Sequence, residues 1–313
     1  MNYSVFETAL KPADGFPRPD WTFVGEWIAA NVRKEKHAEA WDAAVEAWLR
    51  KTREQLGDPY AIDALDEFAL LSALDQRAAT IVLRHAKSAK ATMLKTLSRL
   101  PLPEFLGPHV ILAFAKLDEY CTYISHYYPD GEYGLAPGLC IRTGGYMHMV
   151  FAPQQADALL RAVTHELAHV VLTRFDLPLW LEEGMTQILE EVVSGYSLFR
   201  MNHEIAERHS RYWPEHGLQD YWSGKVFESA DEGRELAYSL SQVLIRNLTT
   251  DHPRRFFDFV ATAKRIDAGE STMREHLGMG LADCAAQFLG QGEWAPDFEK
   301  LKDSLAARDR DSP

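Results

Sequence analysis

The 313-residue sequence has few cysteines and no excess of basic residues. Cys121, Cys140 and Cys284 lie far apart and are odd in number. This excludes a disulfide framework and a zinc ribbon, and it favours free thiols in a reducing compartment. The formal net charge of −13 at pH 7 argues against nucleic acid, or an anionic membrane surface, as the main partner.

Long hydrophobic segments are also missing. No apolar run approaches the roughly 20 residues that a membrane-spanning helix needs, so we expect no membrane partner. Residues 1–20 carry acids and prolines, whereas a secretory signal has a basic segment followed by an apolar one. The predicted location is therefore the cytoplasm. The oligomeric state does not follow from these features.

The pattern of apolar residues predicts an α+β protein in three regions. Residues 1–106 are predicted to be a mainly helical N-terminal region, in which the apolar run 68–74 could be a strand. Residues 107–176 are predicted to combine a buried strand at 109–115, a hairpin and a helix at 157–173. Residues 177–313 are predicted to form a mainly helical C-terminal lobe.

Two short apolar runs around a glycine pair predict the hairpin. The runs 139–142 and 146–151 flank a turn that contains Gly144 and Gly145. We interpret the second strand as an edge strand, which could pair with an extended substrate through main-chain hydrogen bonds. His148 is interpreted as a core or surface residue, because strand alternation favours neither face.

His165, Glu166 and His169 form an H-E-x-x-H motif within the predicted helix 157–173. An α-helix turns once every 3.6 residues, so the two histidines lie one turn apart on nearly the same face. Two imidazoles so placed can share one tetrahedral zinc ion. Glu166 lies about 100° further round, where it can reach a water at the metal without being a ligand. The alternative is a histidine pair on an ordinary helix surface.

A catalytic zinc ion needs a third protein ligand and an open position for water. Glu182 and Glu183 follow on a second predicted helix, 179–193, which begins after Pro178. A helix–turn–helix can bring Glu183 back to the histidine pair, whereas Glu182 points about 100° away. The alternative for both acids is a solvated helix start, where the macrodipole favours carboxylates.

A second His-Glu pair, His203 and Glu204, lacks the required spacing. The next histidine, His209, follows His203 by six residues, which is a rotation of about 600° on a helix. Their rings would face different directions and could not share an ion. We predict that these histidines are surface residues.

The two motifs together resemble those of the gluzincins, metallopeptidases in which H-E-x-x-H is followed by a glutamate on a helix. The segment Trp180-Leu-Glu-Glu-Gly-Met-Thr186 is similar to the W-L-x-E-G-x-A signature of peptidase-MA-like bacterial proteins, whose glutamate before the glycine is a zinc ligand. The resemblance spans about residues 108–290. It implies a zincin-like fold, in which a small mixed sheet with a hairpin precedes a helical lobe.

The resemblance also implies a site and an activity. One Zn²⁺ per chain would be held by His165, His169 and Glu183, and the substrate would be a peptide or a protein. Glu166 would act as the general base towards a zinc-activated water. Gluzincins often supply a tyrosine or histidine from the helical half to stabilise the oxyanion, and Tyr238 is our candidate. The alternative for Tyr238 is a half-buried helix residue.

The sequence departs from the family pattern at two positions and lacks one motif. Thr186 replaces the final alanine of the signature, and Gln187 stands where some gluzincins have an aspartate that orients the first histidine. No G-x-M-E-N stretch is present to bind a free amino terminus, so aminopeptidase activity is not implied.

Two other functions would use the same predicted site. A zinc-binding interaction or regulatory protein without peptidase activity would need the ligands but not Glu166, and the region 1–106 could then dock a partner or cover the site. A zinc hydrolase of a non-peptide amide would differ only in its substrate pocket.

Overall fold

A computed structural model of the chain describes residues 5–13, 15–101, 104–129, 136–197, 201–229 and 231–311. The strands are β1 (Leu10–Ala13), β2 (Phe16–Pro19), β3 (Ala61–Leu65), β4 (Phe68–Ser72), β5 (His109–Ala113), β6 (Gly138–Thr143) and β7 (Tyr146–Phe151).

The helices of the described residues are α1 (Val5–Thr8), α2 (Trp21–Asn31), α3 (His37–Leu56), α4 (Gln76–Thr96), α5 (Leu117–Ser125), α6 (Ala156–Leu172), α7 (Leu179–Ser194), α8 (His203–His216), α9 (Gln219–Trp222), α10 (Glu232–Asp251), α11 (Arg255–Thr262), α12 (Glu270–Leu277), α13 (Leu281–Leu289) and α14 (Phe298–Asp311). The predicted α+β class is therefore confirmed. None of these helices has the length and apolar character needed to cross a membrane.

The first of two compact units contains residues 5–91 and 104–170 and is built on a five-stranded sheet. The strand order is β3-β4-β5-β7-β6, in which β4, β5 and β7 run parallel. β3 and β6 pair antiparallel with their neighbours at the two edges.

The prediction that the strand 146–151 lies at the sheet edge is wrong. β7 is paired on both sides, with β5 and with β6, and β6 is the edge strand. The hairpin fixes which two strands are neighbours, but the position of β5 depends on the path of the chain through α5. Hydrophobic pattern does not specify that path.

The turn of the predicted hairpin is confirmed as a glycine pair. Gly144 and Gly145 have φ values of 54° and 82°, and two positive φ values in succession match the twist of a tight antiparallel hairpin. A β-carbon on Gly144 would lie 2.4 Å from the backbone nitrogen of Thr22. Glycine is therefore required there for close approach as well as for conformation.

His148 is a core residue. Its side chain is fully buried, and its Nε2 lies 2.7 Å from the hydroxyl oxygen of Tyr123 on α5. The ring of Trp48 on α3 packs edge-on against it. Burial lowers the pKa of His148 to about 3, so the ring is neutral and serves packing.

The N-terminal region contains more strand than predicted. α2, α3 and α4 account for its predicted helices, and β4 confirms the strand at 68–74. β3 also forms part of the central sheet, and β1 pairs with β2. β3 was missed because its side chains are exposed or only partly buried, which leaves no apolar alternation to detect.

The second unit contains residues 92–101 and 171–311 and is helical in the part of the chain that is described. His203 begins α8 and is exposed, as predicted, but His209 on the same helix is buried. His209 accepts a hydrogen bond from the indole N–H of Trp213 and contacts Ser239 of α10. The surface prediction for His209 is therefore wrong.

Candidate metal centre

The histidine pair lies on α6, which contains neither glycine nor proline. Leu159, Val163, Leu167 and Val170 form its buried stripe at steps of four, four and three residues. His165 and His169 are half-buried and one turn apart, and their Nε2 atoms lie 3.3 Å from each other.

The glutamate pair lies at the start of α7. Pro178 precedes the helix, and the buried Trp180 donates a hydrogen bond from its indole N–H to the backbone carbonyl of Ala268 at 2.9 Å. Glu183 is buried, whereas Glu182 is half-buried. The tryptophan of the signature therefore fixes the first turn of the helix that carries both acids.

Three side chains converge among the residues that the structure describes. A ring nitrogen of His165, a ring nitrogen of His169 and a carboxylate oxygen of Glu183 all lie within 4.8 Å of one another. Two imidazoles and one carboxylate at this spacing could hold a metal ion.

Glu166 is buried on α6 and packs against the edge strand. A β-carbon on Gly138, the first residue of β6, would lie 3.4 Å from Glu166 Cγ and 2.7 Å from the Phe151 ring. Gly138 therefore leaves space for the Phe151 ring, and Glu166 lies at ordinary contact distance beside it. Sequence analysis missed Gly138, because a contact with a side chain distant in the sequence leaves no recognisable sequence motif.

Tyr120 on α5 is a second residue near Glu166 that sequence analysis missed. Its hydroxyl donates a hydrogen bond to the backbone carbonyl of Ala136 at 2.8 Å, two residues before β6 begins. Burial, followed by the negative charge of Glu166, raises the pKa of the Tyr120 phenol. Tyr120 remains a neutral donor and holds the segment that leads to Gly138.

α6 is also held on the side of α4. Thr164 directly precedes His165, and its hydroxyl oxygen lies 2.7 Å from Nε2 of His85 on α4. The same hydroxyl donates a hydrogen bond to the backbone carbonyl of Leu160. Burial lowers the pKa of His85, which keeps its ring neutral. This contact fixes the rotation of the helix beside its first histidine.

The glycine of the signature is explained by helix packing. A β-carbon on Gly184 would lie 2.6 Å from Ile245 Cγ1 and 2.8 Å from the backbone oxygen of Ser241 on α10. α7 and α10 therefore approach each other closely at the residue that follows Glu183.

Replacing Gly184 with alanine is expected to lower the free energy of unfolding by about 1–3 kcal/mol, because the added methyl overpacks the α7–α10 contact. Urea denaturation measures the change.

Gly25→Ala is the matched control. Gly25 also lies within a helix, and a β-carbon there meets Trp41 at 3.6 Å, which is ordinary contact. The control should be stabilised by roughly 0.5–1 kcal/mol. Equal effects of the two substitutions would contradict the packing explanation.

Gln187 and Tyr238 are brought together. The side-chain amide of Gln187 donates to the backbone carbonyl of Tyr238 at 2.9 Å, which joins α7 to α10 one turn beyond Glu183. The ring of Tyr238 packs edge-on against Phe227 and lines a cavity together with Gln187. Whether Tyr238 acts on a substrate stays a prediction.

Thr186 occupies the alanine position of the signature. Its side chain is fully buried, and its hydroxyl has no hydrogen-bond partner among the described residues. A buried hydroxyl without a partner costs stability.

Comparison with models of known protein families finds no match to this chain, and comparison with curated proteins finds none either. The interpretation of the centre therefore depends on its own residues and geometry.

Proposed function

We propose that the chain is a zinc-dependent metallopeptidase of the gluzincin type with a zincin-like fold. The observation that carries this proposal is the spacing of the ligand atoms. Two nitrogen donors at about 2.0–2.1 Å from one ion, with tetrahedral angles, lie roughly 3.3 Å apart. The Nε2 atoms of His165 and His169 have that separation.

The donor set supports zinc in particular. His165, His169 and Glu183 supply two nitrogens and one oxygen, which is the ligand set of catalytic zinc sites that leave a position for water. A purely structural zinc site would instead use four protein ligands. A zinc ion held there would supply the Lewis acidity that activates water and polarises a peptide carbonyl.

Glu166 is the proposed general base. It follows the first histidine directly and stands outside the ligand set, and its Cγ lies near Gly138 at the start of β6. It would take a proton from the attacking water and deliver it to the amine that leaves. Tyr238 is the proposed donor to the oxyanion, in keeping with its position on α10 beside Gln187.

The edge strand β6 supports a peptide substrate. Its outer side is not paired with another described strand, and Gly138 brings its first residue next to Glu166. An extended peptide could pair with β6 by main-chain hydrogen bonds and would thereby run past the base. Substrate pairing, which the sequence analysis assigned to the strand 146–151, is therefore assigned to β6.

Metal analysis tests the proposal directly. We expect purified protein to contain about one zinc ion per chain and to cleave a casein digest or a peptide library. A chelator should abolish cleavage, and added zinc should restore it. Cleavage that persists without metal would refute the mechanism. Bound zinc with no cleavage of any peptide would favour the binding protein without peptidase activity or the hydrolase of a non-peptide amide.

A further inference from the structure

Thr186 on α7 differs from the other buried threonines that the structure describes. All four lie in helices, and Thr52, Thr164 and Thr272 each donate a hydrogen bond from the side-chain hydroxyl to a backbone carbonyl three or four residues earlier. Helical threonines commonly satisfy their hydroxyl in this way. The hydroxyl of Thr186 is buried and has no hydrogen-bond partner among the described residues. Its unused donor is therefore available to another group.

Thr186 follows Glu183 by three residues on α7. Residues three apart on an α-helix lie about 60° apart around the axis, and their Cβ atoms are about 5–6 Å from each other. Helical side chains also lean towards the N-terminus, so the Thr186 side chain leans towards the turn that carries Glu183. Both side chains are buried. The hydroxyl and the carboxylate therefore belong to neighbouring residues of one buried helix face.

Glu183 is one of the three side chains that converge, together with His165 and His169. A carboxylate that gives one oxygen to a metal ion keeps lone pairs on its other oxygen. Carboxylates that bind metals in proteins are in turn hydrogen-bonded, and these further contacts hold the ligand in its orientation. A buried hydroxyl one turn away can supply such a bond, whereas the alanine at this position of the W-L-x-E-G-x-A signature cannot.

Glu182 is the other carboxylate in the same turn of α7. It precedes Thr186 by four residues, but it is half-buried, so water can reach its side chain. It also lies outside the group of three converging side chains. Burial and convergence therefore favour Glu183 as the acceptor of the Thr186 hydroxyl.

We propose that Thr186 is a positioning residue for the third metal ligand, and that its hydroxyl donates a hydrogen bond to the Glu183 carboxylate when zinc is bound. This inference rests on the proposed function. In the chain without metal, a buried hydroxyl with no partner disfavours folding. In the zinc-bound chain, the same hydroxyl restricts the rotation of Glu183. Thr186 therefore lowers the stability of the metal-free chain and raises its affinity for zinc, and a residue that served packing alone would not have these opposite effects.

Thr186→Val tests the proposal, because valine keeps the shape of threonine and removes the hydroxyl. On the purified full chain we expect the dissociation constant for zinc to rise about tenfold or more, as for other residues that hold a metal ligand in place. The melting temperature of the metal-free variant should rise by roughly 2–4 °C, because a methyl group replaces a buried hydroxyl without a partner. Competition with a chromophoric chelator gives the affinity, and thermal unfolding in excess chelator gives the melting temperature.

Two further variants separate the hydroxyl from the packing around it. Thr186→Ser keeps the hydroxyl and should therefore retain most of the zinc affinity. Thr52→Val is the matched control, since Thr52 is equally buried but its hydroxyl donates to the backbone carbonyl of Trp48 at 2.9 Å. This control should leave the zinc affinity unchanged and should not raise the melting temperature of the metal-free chain.

The zinc affinity is measured independently of catalysis. Weaker binding in Thr186→Val, with recovery in Thr186→Ser, supports the inference even if the wild type cleaves no peptide and the peptidase proposal fails. Equal affinities of Thr186→Val and the wild type would overturn the inference and leave the peptidase proposal intact. Equal losses in Thr186→Val and Thr186→Ser would also overturn it, because the hydroxyl would then not be the group that acts. A wild-type chain that binds no zinc would refute both the inference and the metal centre.

Discussion

Glu166→Gln is expected to keep one zinc ion per chain and to lower kcat for peptide hydrolysis by roughly 10²–10⁴-fold, the usual contribution of a general base. Glutamine has nearly the same shape as glutamate, so its contact with Gly138 at the start of β6 should persist. It cannot take a proton from water at neutral pH. The loss should therefore appear in kcat with the zinc content unchanged.

The measurement pairs steady-state kinetics with metal analysis of the same preparation. Glu204→Gln is the control, since Glu204 also follows a histidine but lies exposed at the start of α8. Turnover equal to that of the wild type in Glu166→Gln would show that another group is the base. Loss of zinc in this variant would show that Glu166 is needed to form the centre.

Glu183→Ala is expected to weaken zinc binding by about 100-fold or more and to abolish hydrolysis, because two imidazoles alone do not complete a catalytic zinc site. Zinc should also stop raising the melting temperature of this variant, since a ligand stabilises the folded state only where it binds. Titration with a competing chelator gives the affinity, and thermal unfolding with and without zinc gives the shift.

Glu182→Ala is the matched control for Glu183→Ala. Glu182 neighbours Glu183 on α7 but is not one of the three converging side chains. It should retain both zinc and activity. If Glu182→Ala lost zinc and Glu183→Ala kept it, the assignment of the third ligand would be reversed.

The local elements around the centre could be predicted from the sequence. The spacing of Leu159, Val163, Leu167 and Val170 predicts a helix almost identical to α6, and Pro178 predicts the start of α7. These signals are local, because each depends on residues within a few turns. The convergence of Glu183 with the histidines was inferred from family resemblance and from helix–turn–helix geometry.

What could not be predicted depends on contacts between distant segments. The order of strands in the sheet requires knowledge of where α5 returns the chain, so β7 was placed at the wrong position. His209 was expected on the surface, but contacts with Ser239 on α10 and with Phe288 on α13 bury it. The close approach of α10 to Gly184 likewise appears only in three dimensions.

The two-glycine turn between β6 and β7 has a consequence at a distance. The turn places Thr143 opposite Tyr146, and the same register places Gly138 opposite Phe151. Gly138 is five residues from Thr143 along β6, which is about 17 Å. Inserting one amino acid between Gly144 and Gly145 is expected to shift this alignment by one residue, so that Gly138 no longer lies opposite Phe151. A residue with a side chain would then lie opposite Phe151, where glycine now leaves space for the ring, so the length of the turn controls packing beside Glu166 at the opposite end of the hairpin.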